Sequence, residues 1–136
     1  MTKYEELVAE YDQEVNIEER NMLNDGLYCD NVIWIKGTLT NAEKISIVAE
    51  EIGHYETTAG DILDQSKLVN IKQELLARKW AYEKIIPISD INKAVDEGIT
   101  EVYDLAEHFE VTEEFMRDCL KHYGFLDSWG GDNGIF

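Results

Sequence analysis

The chain has 136 residues, 44% of them apolar and 30% charged, and a formal net charge of −17. That size suits one soluble globular domain with a single core. The charge argues against phosphate-directed nucleic-acid binding and against an anionic membrane surface, both of which need Lys and Arg.

Two cysteines, Cys29 and Cys119, stand far apart. They read as free thiols of a reduced, cytoplasmic protein. The opening "MTKYEELVAEYDQ" has no apolar signal core, and no apolar run approaches a membrane span.

In chain order, Thr2 can cap a first helix from about Lys3 to Glu14, whose apolar Tyr4, Leu7, Val8 and Tyr11 follow helical spacing. Asn24-Asp25-Gly26 is a turn signal. "GLYC" and "NVIWIKG" are rich in β-branched and aromatic residues and predict two strands. Thr40 or Asn41 opens a second helix to about Thr57, with Glu43 in its first turn. "GDILDQS" after Gly60 reads as a loop or a short turn of helix. A third helix covers roughly Leu68 to Ile86 and stops at Pro87, the only proline. Ser89 or Asp90 caps a short helix through Val95. Another helix runs from about Glu101 to Phe109, and Thr112 caps a last one from Glu113 to about Tyr123. The Gly-rich tail "FLDSWGGDNGIF" reads as frayed. The expected fold is α+β and mostly helical, with a small antiparallel sheet packed on the second helix and a helical C-terminal part.

The second helix carries the chemistry. Ile45, Val48, Ala49 and Ile52 form one apolar stripe that must face the core. Glu50, Glu51 and His54 fall on the other side. Glu50 and His54 are one turn apart, as two metal ligands on one helix must be. Glu51 stands where a general base would. Gly53 leaves room for close approach of another element. Spacing alone leaves a second reading open: an acidic solvated face with a histidine near a helix C-terminus.

The next helix, "QELLARKWAYEKIIP", adds Glu74, Ala77, Trp80, Ala81 and the terminal Ile85-Ile86-Pro87. Together, "AEEIGHY", "GDILDQS" and this helix resemble the ImmA/IrrE family of metallopeptidases, most closely short prophage-borne members from Gram-positive bacteria. The likeness runs from the first helix to about Tyr123. It implies an ImmA/IrrE-like core over 1–87, a helix-turn-helix-like subdomain over 88–124 and a flexible tail over 125–136. It also implies that His54 and Glu74 are metal ligands and that Glu51 is the catalytic base.

Two departures follow. Glu50 stands where the family's H-E-x-x-H motif has its first histidine, so the implied metal set is Glu50, His54 and Glu74. Arg78 stands where the family has Asn or Asp. A carboxylate is a competent zinc ligand. Two glutamates and one histidine, however, neutralise a divalent ion that two histidines and one glutamate leave at net +1. Such an ion lowers the pKa of bound water less, and the oxygen-richer shell tolerates manganese or iron better. The expectation is a zinc endopeptidase with weaker metal binding and slower chemistry, acting on a DNA-binding phage repressor or regulator in the switch between lysogeny and lysis. The alternative is a pseudopeptidase, metal-free or not, that binds a repressor or host protein without cutting it. An acidic DNA mimic is a weaker third reading.

Other features carry less. The strand holding Val32 to Trp34 either pairs with an extended substrate at a sheet edge or is plain sheet core. Asp61 and Asp64 either donate a further oxygen ligand or cap a loop. From Ile88 to Tyr123 there are three Lys and Arg against ten Asp and Glu. The helix-turn-helix-like segment therefore reads as helical packing beneath the metal site or as a docking surface, not a DNA reader. His108 and His122 read as surface or packing histidines, Cys29 as a bystander, and Trp80 and Tyr82 as core.

Overall fold

The computed structural model describes residues 1–57 and 67–126. The chain forms two compact units, Met1–Ala81 and Tyr82–Phe136.

In the first unit, α1 (Lys3–Tyr11) opens with a reciprocal cap. The Thr2 hydroxyl accepts from the Glu5 N–H at 3.1 Å, and the Thr2 N–H donates to the Glu5 carboxylate at 2.9 Å. The helix stops three residues earlier than its spacing predicts. The N–H groups of Glu14 and Val15 both turn back onto the Tyr11 carbonyl, and Val15 is buried in the turn.

A strand that the sequence did not announce follows: β1 (Asn16–Arg20), then β2 (Gly26–Cys29) and β3 (Val32–Lys36). β2 and β3 form the expected antiparallel hairpin. Its two-residue turn, Asp30-Asn31, has φ of 48° and 63°, the left-handed pair that matches strand twist. β1 adds to the far side of β3 in parallel, Ile17 opposite Ile33, so the sheet is mixed and ordered β1-β3-β2. The wholly antiparallel sheet is corrected in this respect. Four of the five β1 residues, Asn16, Glu18, Glu19 and Arg20, are polar, which hides a strand held by its partner and not by its own pattern.

The same order corrects the substrate-pairing role for Val32 to Trp34. β3 is the central strand, hydrogen-bonded on both sides, and Ile33 and Ile35 are fully buried. Sheet core is what that segment provides.

Helix α2 (Asn41–Thr57) begins at a second reciprocal cap, Thr40 with Glu43. It buries Ile45, Val48, Ala49 and Ile52 against the sheet and α1. Helix α3 (Lys67–Ile85) follows. "GDILDQS", Asp61 and Asp64 lie outside the described residues.

The second unit holds α4 (Ile88–Asp96), α5 (Val102–Phe109) and α6 (Glu113–Tyr123). Pro87, not Ser89 or Asp90, occupies the N-cap position of α4. Its fixed φ suits the entry, and Asp90 falls instead in the first turn, where a carboxylate meets the positive helix end. Thr112 caps α6 through the Phe115 N–H at 3.1 Å. Gly124 ends it at φ 86°, with the Phe125 N–H returning to the Leu120 carbonyl at 2.8 Å. Leu105, Met116, Cys119 and Leu120 make the interior of this unit. Among the described residues no helix is long and apolar enough to cross a membrane.

Candidate metal centre

The site lies within the first unit and depends on one close contact. A Cβ on Gly53 would run into the backbone carbonyl of Ala77. α2 and α3 can therefore touch backbone to backbone at this point, and Ala77 and Ala81 are buried beside it. One residue beyond Gly53, His54 meets Glu74, which precedes Ala77 by almost one turn. The His54 Nε2 to Glu74 Oε1 distance is 2.9 Å.

Glu50, one turn before His54, completes the group. One donor atom from each of Glu50, His54 and Glu74 lies within 4.8 Å of the others. These are the three residues that the sequence singled out as ligands, from two helices. They line a cleft of about 270 Å³ together with Glu51, Ile47, Asp25 and Gly26.

The Glu51 carboxyl is driven up to about 7, first by burial and then by the charges of Glu50 and Glu74. Glu50 is also raised, by burial and by the Glu74 carboxylate, with Arg78 acting in the opposite direction. A carboxyl poised near neutrality inside a cleft is what general-base work requires. The His54 side chain is only 18% exposed, which speaks against a fully solvated helix face, while Glu74 at 45% keeps the α3 side of the cluster open to solvent.

Arg78 sits at the rim. Its Nε is 3.4 Å from Glu50 Oε1, and its Nη2 is 3.8 Å from Glu74 Oε2. Glu74 and Arg78 are one turn apart on α3, so the guanidinium spans both helices.

Asp25 and Gly26 are cleft residues that sequence reasoning missed. They were legible only as a turn. A Cβ on Gly26 would strike the Ile47 side chain and lie 3.3 Å from a Glu51 oxygen. The glycine lets the start of β2 lie directly over the carboxylates. Nothing local in "NDG" shows which helix the turn will cover.

Among the described residues, the other candidates are not part of the cleft lining. His122 pairs with Glu83 at 2.7 Å, and His108 lies edge-on to Phe109. Cys29 is exposed and Cys119 buried. Trp80 packs edge-to-face on Tyr11, and Tyr82 on Phe115.

A small mixed sheet packs across a helix that carries two glutamates and a histidine, and the following helix brings in a third donor. The family model of the IrrE N-terminal-like domain, peptidase M78, matches residues 7–121, and the chain belongs to that family. No curated protein matches the chain.

Proposed function

We propose that this chain is a zinc-dependent endopeptidase whose substrate is a DNA-binding repressor or similar regulatory protein. The convergence of Glu50, His54 and Glu74 on one point, with Glu51 beside them in the same cleft, carries this reading.

The donor set fits a divalent ion. Two carboxylates and an imidazole supply three ligand atoms and leave a coordination position for water or substrate. Bound there, the ion would supply Lewis-acid polarisation of the scissile carbonyl and acidify a water molecule. The chain's own residues do the rest. Glu51 takes a proton from the attacking water and passes it to the departing amine, a shuttle favoured by a carboxyl near pH 7. Asp25 and Gly26 wall the cleft at the start of β2, the outermost strand on this side among the described residues. An extended substrate segment can add to that edge through main-chain hydrogen bonds. The net charge of −17 draws in the basic face of a nucleic-acid-binding protein and disfavours nucleic acid itself.

Metal analysis of protein purified without chelator, followed by incubation with the DNA-binding protein encoded beside it, tests the reading. Near-stoichiometric zinc, a discrete cleavage, and loss of that cleavage in Glu51→Gln are expected. A substrate left intact but held in a stable complex, under zinc-replete conditions, would instead select a non-cleaving binder.

A further inference from the structure

We infer that Arg78 sets which cation the cluster accepts. By pairing its charge with one oxygen of Glu50 and one of Glu74, it biases both glutamates towards binding through a single oxygen and favours a small, four-coordinate ion over calcium. The inference rests on the metal-centre reading above and adds a residue which that reading does not use.

Three neighbours share the Glu74 carboxylate: His54, Arg78 and the Glu50 carboxyl that is hydrogen-bonded to it. Oε1 faces the His54 imidazole at 2.9 Å, and Oε2 faces the Arg78 guanidinium at 3.8 Å. Glu50 offers its Oε1 to the same guanidinium at 3.4 Å. A planar fork of donors suits this task, because one group can hold two carboxylates in fixed orientations at once. Each glutamate then has one oxygen left for a cation. With His54 this makes three donors, enough for zinc, which takes four ligands including a water. Calcium wants six to eight oxygens and commonly takes both oxygens of a carboxylate. Releasing the two outer oxygens would raise the donor count to five and move the site towards it.

Charge and geometry can be separated. The guanidinium repels every divalent ion alike, so its charge cannot discriminate zinc from calcium, whereas its grip on the outer oxygens can. The Arg78 side chain is 51% exposed, so replacing it leaves the packing at Gly53 and Ala77 intact.

The test titrates the metal-free full chain with zinc and, separately, calcium by calorimetry, in the unmodified protein, Arg78→Gln and Arg78→Lys. Circular dichroism establishes that the variants are folded. Arg78→Gln should raise the calcium-to-zinc affinity ratio on the order of tenfold, mainly through the loss of zinc affinity that removing an outer partner of metal ligands commonly causes. Arg78→Lys keeps the charge but holds only one carboxylate, so the ratio should rise there too, although no charge is lost. An unchanged ratio in both variants, with zinc still bound, overturns the selectivity role and leaves the metal centre standing. Failure of the unmodified chain to bind zinc overturns both.

Discussion

The two units of this chain solve different problems. The second packs amphipathic helices whose interiors are apolar throughout, ended by a threonine cap and a left-handed glycine. The first crowds four carboxyl groups and a histidine around one cleft and admits a backbone-to-backbone contact to do so. A fold-making region obeys the local rules. A region assembled around polar side chains breaks some of them and needs neighbours to hold the exceptions in place.

The sharpest way to probe that difference is a methyl group. Gly53→Ala drives a Cβ into the Ala77 carbonyl, and we expect a loss of about 3 kcal/mol, the upper range for overpacking a rigid contact, together with loss of metal binding. In the second unit, Gly124→Ala meets no atom within 4 Å. It carries only the left-handed backbone cost of about 1 kcal/mol. Chemical denaturation of both variants measures the contrast, and equal losses would mean that α2 and α3 are not locked at Gly53.

Next in size is His54→Ala against His122→Ala. The first should abolish stoichiometric zinc. The second should leave it intact, since the His122 imidazole pairs with the Glu83 carboxylate at 2.7 Å and is not part of the cleft lining. Zinc retained by both proteins would place the metal elsewhere.

The third contrast is acid–base. In chelator-treated protein the Glu51 carboxyl is raised from 4.5 to about 7. The folded state thus holds a proton that the unfolded chain releases. The sign follows: the stabilising contribution is complete below about pH 4.5 and is lost as pH rises to 7. Glu50, raised too, acts in the same direction. Glu51→Gln should flatten the midpoint-versus-pH curve over this window. An unaltered slope would show that Glu51 is not held in a desolvating cleft.

The smallest effect is chemical. Cys29 should react with a thiol reagent at once. Cys119, buried and pushed up to about 12 by that burial, should react only on unfolding. Two equally fast thiols would mean that the second unit is loosely packed.

Much of this was legible beforehand, and the reason is local. Helices α2 and α6 announce themselves through a cap residue and an apolar stripe, and their bounds agree closely with the spacing. Glu50, Glu51 and His54 share a helix, so their side chains are placed by periodicity alone. Glu74 needed more, because nothing in the spacing says that α3 returns to α2. The resemblance supplied that return, and the Gly53 contact gives its physical basis. β1 was hidden because its five residues carry a single apolar side chain, Ile17, and the hydrogen bonds that make it a strand come from β3, sixteen residues on. Asp25 was hidden for a related reason: a turn motif reports its own bend and not what it overhangs.

The sheet's two margins are unlike in a way that bears on how this chain behaves at high concentration. β1 presents Glu18, Glu19 and Arg20, a charged border that resists being copied by another chain. Among the described residues, β2, with Leu27 and Tyr28, carries no such charged border. Growth of the sheet by recruiting foreign backbone is thus permitted on one flank and discouraged on the other, so a visiting strand arrives beside the acidic hollow and a runaway fibre has no second margin to extend from.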